Sequence, residues 1–276
     1  MKMLAAVLLL VSVPALADLE LPRPSPFAKF SQTVGLTDIT VDYSSPGVKG
    51  RKIWGALVPY EQVWRTGANK ATKVTFSQDV TVAGTAVPAG SYAFFAIPGP
   101  TTWTLILNKD FTQSGAFNYK KELDVVRVQV KPQAIPLRER LAYLVSNFTD
   151  TTASLDLEWE KVRVSLPITL NTDKQAQANI AASTDGSWMP FTQAARYMLE
   201  TKKDYDAGLK LVETSLALKE DWFNTWTKAS LLAAKKDYAQ ALRLAARAKQ
   251  LGEANKERFF AAADVDKALA EWKDKH

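Results

Sequence analysis

The chain has 276 residues, no cysteine, one histidine (His276, the last residue) and a formal net charge of +6, with 47% hydrophobic residues. Ser-His-Asp hydrolysis, histidine-built zinc sites and thiol chemistry therefore each lack a required group. The positive excess falls short of a nucleic-acid footprint, and the apolar content is enough for a core without disulfide staples.

The N-terminus reads as an export signal. Lys2 gives a short positive start, Met3 to Val13 is an apolar run too short to span a bilayer, Pro14 breaks it, and Ala15-Leu16-Ala17 offers small residues at the cleavage-defining positions. This predicts a signal peptide over 1–17, cut between Ala17 and Asp18, and a periplasmic or secreted protein. No later run approaches the ~18–20 apolar residues that a membrane span needs.

From Lys29 to about Thr169 the dominant period is two. Ile39, Val41 and Tyr43 alternate with polar neighbours, as do Ala153, Leu155, Leu157 and Trp159, and then Val162, Val164, Leu166 and Ile168. Such alternation puts one face in a core and the other in water. Glu160-Lys161 reads as a tight turn joining two antiparallel strands. Further strands are expected at Lys73–Ser77, Gly90–Ile97, Trp103–Asn108, Asp124–Lys131 and Leu141–Phe148, separated by turn signals at Ala83-Gly84, Val87-Pro88-Ala89-Gly90 and Pro98-Gly99-Pro100. About ten short strands without crossover helices predict an antiparallel β-sandwich or a partly closed barrel over 18–170. Trp103 and Trp159 fall on inward positions and are expected in the core.

One segment breaks this pattern. Val63-Trp64-Arg65-Thr66-Gly67-Ala68-Asn69 lies between apolar runs, yet gathers a Trp, an Arg, a Thr, a Gly and an Asn. Around it Lys49, Arg51, Lys52, Arg65, Lys70 and Lys73 are opposed only by Glu61. Two readings follow. In the first, Arg51 and Arg65 converge as paired guanidinium forks for a carboxylate or phosphate. Thr66 and Asn69 then add neutral hydrogen bonds, Trp64 stacks on a flat or sugar-like ligand, and Gly67 allows close approach or a left-handed turn. In the second, the arginines pair internally with Asp42, Asp79 or Asp124, Trp64 anchors the core and Asn69 caps a turn. The carboxylates Asp38, Asp42, Asp79, Asp110 and Asp124 also offer material for a hydrolytic acid pair or an oxygen-ligated metal, although their spacing singles out neither.

After Leu170 the period becomes helical. A short helix or linker is expected over 171–187, with Asn171 or Thr172 as cap, followed by an all-α domain over 188–276. Lys202-Lys203-Asp204-Tyr205 recurs as Lys235-Lys236-Asp237-Tyr238, and Leu199, Leu209, Leu211 and Leu218 recur as Leu232, Leu242, Leu244 and Leu251. A period near 34 built as helix–turn–helix is the tetratricopeptide pattern. Tyr238, Ala241 and Ala248 suit its packing positions; the first copy departs with Gly208 and Ser215. A last helix from Glu253 to Trp272 would cover the open end.

Several motifs of the β region occur together in one known family. They include Pro24-Ser25-Pro26, Ile39-Thr40-Val41-Asp42-Tyr43-Ser44-Ser45-Pro46, Val48-Lys49-Gly50-Arg51, Trp64-Arg65-Thr66-Gly67-Ala68-Asn69, Pro88-Ala89-Gly90-Ser91-Tyr92 and Trp103-Thr104-Leu105-Ile106-Leu107-Asn108. On these residues the chain resembles the DUF2911 family of bacterial proteins, from about Pro24 to Leu170. The resemblance implies an exported protein, in some members with a helical tail. It transfers no catalytic residue, because the family has no established activity.

Together these features describe an exported α+β protein without cofactor or metal, more binding module than enzyme. Its expected ligand is an anionic small molecule, a glycan or a peptide carboxylate, held by Arg51, Trp64, Arg65, Thr66 and Asn69. A carboxylate-dependent cell-envelope hydrolase and a scaffold that engages protein partners through its helical repeats are the alternatives.

Overall fold

The computed structural model describes residues 21–182, 187–254 and 256–275. The expected signal peptide and its cleavage point lie outside them. Among the described residues no helix is long and apolar enough to cross a membrane. The chain divides into two compact units, one ending at Thr172 and the other beginning at Asp173.

The first unit is an antiparallel sandwich. Its larger sheet is ordered β1-β2-β3-β6-β7-β8 and its smaller sheet β5-β4-β10-β9. The strands are β1 (Phe27–Val34), β2 (Thr37–Ser44), β3 (Thr72–Phe76), β4 (Val80–Val82), β5 (Thr85–Val87), β6 (Gly90–Ile97), β7 (Trp103–Asn108), β8 (Asp124–Val130), β9 (Gln133–Ser146) and β10 (Thr152–Leu170). The β4–β5 hairpin turns at Ala83-Gly84, both with positive φ, and sends the chain to the second sheet before β6 returns it to the first. Among the described residues every pair of these strands is antiparallel, and no barrel closes.

Alternation sets the core. Ile39, Val41, Val74, Phe76, Phe94, Leu105 and Leu107 from one sheet meet Leu141, Tyr143, Leu155, Leu157, Trp159 and Leu166 from the other. Each large apolar side chain buried in this way contributes about 1.5–3 kcal/mol before its entropy cost. The opposite face of β6 and β7 is covered as well: Ala93, Phe95 and Ile106 pack with Ala71, Val63, Ala116 and Tyr119. Burial on both faces explains why β6 reads as a nearly continuous apolar run rather than an alternating one.

The Glu160-Lys161 turn expected from sequence is not a turn. β10 is one strand of 19 residues, and Glu160, at φ 56°, is a bulge within it. Its left-handed conformation switches the inward parity of β10, so Leu155, Leu157 and Trp159 face the core before it and Val164, Leu166 and Ile168 after it, while the surplus residues of the irregular pairing lie on β9. Both halves were legible as alternating segments, but they pair with β9 and β4 and not with each other. β9 likewise starts well before the expected Leu141, because Gln133–Arg140 pairs irregularly and carries exposed residues.

The second unit is helical: α1 (Thr172–Ala182), α2 (Trp188–Tyr197) continued by a π-helical turn (Met198–Lys202), α3 (Tyr205–Leu218), α4 (Trp222–Ala234), α5 (Tyr238–Glu253) and α6 (Ala262–Trp272). The repeated Lys-Lys-Asp-Tyr motif has a local cause. Lys203 and Lys236 take φ 57° and 69° to end one helix. Asp204 and Asp237 then cap the next by accepting from the backbone N–H of Ala207 and Gln240. Gly208 and Ser215 stay small for packing: a Cβ on Gly208 would lie 2.6 Å from a Leu231 methyl, and the buried Ser215 hydroxyl bonds Thr192 and Asn224. Fourteen positions separate Trp188 from Lys202, but only thirteen separate Trp222 from Lys235. The π-helical turn at the end of α2 accommodates the additional residue.

The bulge gives a direct test. Replacing Glu160 by Gly should raise the urea unfolding free energy by ~1 kcal/mol, because glycine meets no Cβ penalty at positive φ. Replacement by Val should lower it.

Candidate functional site

The Trp64–Asn69 segment sits in the lane of β3, on the N-terminal side of that strand. Trp64 exchanges backbone hydrogen bonds with Ala96 of β6 (2.7 and 2.9 Å). Arg65 carbonyl accepts from the Thr72 N–H (3.3 Å), where β3 begins. The residues between form a corner folded around Ser44: Ala68 N–H donates to its carbonyl (3.3 Å), and Asn69 Nδ2 donates to its hydroxyl (3.2 Å).

Thr66 is the centre of this corner. It is fully buried and holds φ 51°, a conformation that a β-branched residue adopts only under constraint. Three hydrogen bonds supply that constraint. Thr66 Oγ1 donates to the Phe94 carbonyl (2.8 Å), and the Thr66 carbonyl accepts from Thr72 Oγ1 (3.1 Å) and from the phenol of Tyr143 in β9 (2.8 Å). Burial drives the Tyr143 pKa far above the ordinary tyrosine value, so this phenol stays a donor. Gly67 is required for close approach and not for handedness. A Cβ there would lie 2.9 Å from Thr72 Oγ1 and 3.1 Å from the Ser44 carbonyl, while the left-handed positions are Thr66 and Asn69.

Trp64 is a core residue, 8% exposed, and this corrects the expectation that it stacks on a ligand. Its indole stacks on Trp159 (5.9 Å, 20°) and meets Trp54 and Trp103 edge-on (5.6 and 6.4 Å). Trp54, a member of this four-indole cluster, carried no sequence signal beyond being aromatic in a loop. The Nε1 groups of Trp54 and Trp159 are buried without a hydrogen-bond partner.

The two arginines take different roles. Arg51 folds back on its own turn, donating from Nε to the Val48 carbonyl (3.0 Å) and from Nη2 to the Gly47 carbonyl (2.5 Å). That turn is bound to β9 by Val48 N–H donating to the Glu139 carbonyl (2.8 Å). Arg51 and Arg65 share no partner. Arg65 is half-buried, and its Nε is buried with no hydrogen-bond partner. Burial alone pulls its pKa below the ordinary arginine value. The carboxylates expected to neutralise it are occupied elsewhere: Asp42 pairs with Lys73 (2.7 Å), Asp124 with Arg127 (2.7 Å), and Asp79 accepts from Ala89 N–H (2.8 Å).

Arg65 does not stand alone as an unsatisfied group. Asp42 Oδ1 and Gln113 Oε1 are also buried without partners. Both border the same loop: Asp42 is opposite Lys73 in the β2–β3 register, and the Gln113 carbonyl accepts from the Ala71 N–H (3.1 Å). Asp42 and Lys73 alternate with the core residues Val41 and Val74, so they belong to the outer face of the sheet. Asn69 is exposed there, with its carbonyl bonded to Gly115 N–H (3.0 Å). An unused guanidinium donor on residue 65 and two unused acceptors on neighbours of residues 71 and 73 thus belong to this part of the sheet.

Beside them the outer face is closed by a polar trio. The Tyr119 phenol donates to Asp124 Oδ2 (2.6 Å) and accepts from Arg127 (2.8 Å). Asp38, Asp42, Asp79, Asp110 and Asp124 each have separate partners, and no two of these carboxylates share a side-chain donor. No group of three or more metal-ligating side chains occurs among the described residues.

Two measurements test this local account. Tyr143→Phe should cost about 1–2 kcal/mol in urea denaturation, because it removes a buried hydrogen bond to the strained Thr66. Burial and the bond to Asp124 push the Tyr119 pKa up to about 12, above its value near 10 in the unfolded chain. Its proton therefore stabilises the fold below pH 10, and that contribution fades as pH rises from about 10 to 12. Tyr119→Phe should flatten the fall in melting temperature over that interval.

One protein-family model matches the chain, over residues 25–168; its description is "Protein of unknown function (DUF2911)". No curated protein and no solved structure matches.

Proposed function

The chain belongs to the DUF2911 family, and from that premise we propose that it is an exported, two-domain, non-catalytic binding protein for an anionic, hydroxyl-bearing ligand such as an acidic sugar or a glycan carrying carboxylates. The Trp64–Asn69 corner is its binding site. Arg65 supplies the charge-assisted donor; Asn69, exposed beside it, supplies a neutral amide. Thr66 and Trp64 position the arginine from behind without touching ligand, and Arg51 stiffens the neighbouring turn.

The observation that carries this reading is the buried, unpartnered Nε of Arg65. Taking a cation partly out of water without an ion pair costs stability, and stability sacrificed at one strained corner supports a ligand role. The same bookkeeping gives the test. Arg65→Met should leave the melting temperature equal or higher, since it removes an uncompensated charge. In calorimetric titration, glucuronate should bind the wild type in preference to glucose, and Arg65→Met should weaken it at least ~10-fold. Unchanged affinity, or collapse of the fold in the variant, would overturn the proposal.

A further inference from the structure

A second concavity lies in the first unit, on the other sheet. Two residues of β10 repeatedly face four of β9: Glu158 is opposite Ala142, Glu160 opposite Arg138, and Val162 opposite Ala134. The surplus residues of β9 bow away from β10 and pair with the 46–48 turn, through Leu141 N–H to the Pro46 carbonyl (3.0 Å) and the Gly47–Arg140 bridge. The separation opens a cavity of about 470 Å³ between the bowed segment and β10, within the range of small-molecule sites.

The floor of this cavity is built around one carboxylate. Glu158 is 2% exposed. Arg138 Nε forms an ion pair with its Oε2 (2.5 Å), and Arg163 donates to its Oε1 from Nε (2.7 Å) and Nη2. One buried carboxylate thus fixes two guanidiniums side by side. Behind Arg163 the buried Asp156 keeps 3.6 Å from its Nε, beyond hydrogen-bonding range. A third guanidinium, Arg140, uses Nη1 on the Pro24 and Ser45 carbonyls (2.9 and 3.2 Å). Glu139 Oε1 accepts from the Lys49 N–H (2.9 Å).

Glu158 is engaged at both oxygens, whereas each guanidinium carries five N–H donors and uses only some of them. Three guanidiniums line the cavity against the two carboxylates Glu139 and Glu158, so its net charge is positive and its spare valence is mainly that of donors. Its other wall is apolar, formed by Ile135, Pro136 and Leu137, and Leu137 is 60% exposed. An edge strand usually buries or blunts such a side chain.

We propose that this cleft is a binding site for an organic carboxylate with an apolar body, its head on the Arg138–Arg163 pair and Arg140, its chain along Ile135–Leu137. The site is separate from the Arg65 corner and stands or falls independently of it. Octanoate is the probe. Calorimetry with the full-length protein should show 1:1 binding of octanoate and none of octylammonium, which has the same chain and a donor head. Arg138→Gln should weaken octanoate at least ~10-fold by removing a charged donor, and Leu137→Ser should weaken it roughly tenfold through lost apolar contact. Arg65→Met should leave it unchanged. Leu137 is exposed, so that variant keeps the test valid if Arg138→Gln does not fold. No octanoate binding to the wild type, equal binding of octylammonium, or affinity unaltered in both cleft variants would overturn the proposal.

Discussion

The Thr66 carbonyl is where the sandwich is tied across its interior. It accepts one hydrogen bond from β3 of the larger sheet and another from Tyr143 of the smaller sheet. Apolar packing between sheets is non-directional and tolerates sliding, whereas a buried phenol–carbonyl bond has a required length and angle. The bond therefore fixes the relative position of the sheets near the corner. Only a residue with its carbonyl turned into the core can receive it, and positive φ at Thr66 produces that orientation. The backbone strain, the outward Arg65 and the buried Trp64 follow from one local geometry.

Much of the fold was legible because the physics that sets it is local. Period-two alternation placed Ile39, Val41, Leu155 and Leu157 in the core without knowledge of their partners. What failed was pairing. The two alternating halves of β10 looked like a hairpin because a bulge and a turn both interrupt parity by one residue; only β9 and β4 decide between them. The helical repeat was legible because its cause, a left-handed lysine followed by a capping aspartate, is contained within four residues.

The candidate site was legible as a place but not as an arrangement. The mixture in Trp64–Asn69 marked an unusual backbone. Yet sequence could not say that Trp64 turns inward while Arg65 faces outward, nor that Arg51 would satisfy itself on the carbonyls of Gly47 and Val48. The second paired-arginine arrangement was missed for the same reason. Arg138 and Arg163 are 25 positions apart and meet only because β9 bows over Glu158, a non-local event that neither segment encodes alone.

The π-helical turn at the end of α2 has a bearing on how such a helical unit can lengthen. Its surplus residue sits in the first hairpin only, so the two hairpins are not interchangeable. The wider turn closes its helix, so it displaces the point at which α3 starts relative to a plain α-helical copy. Duplicating α4–α5 would yield a tandem array in phase with itself, whereas duplicating the first hairpin would introduce an angular offset at each junction.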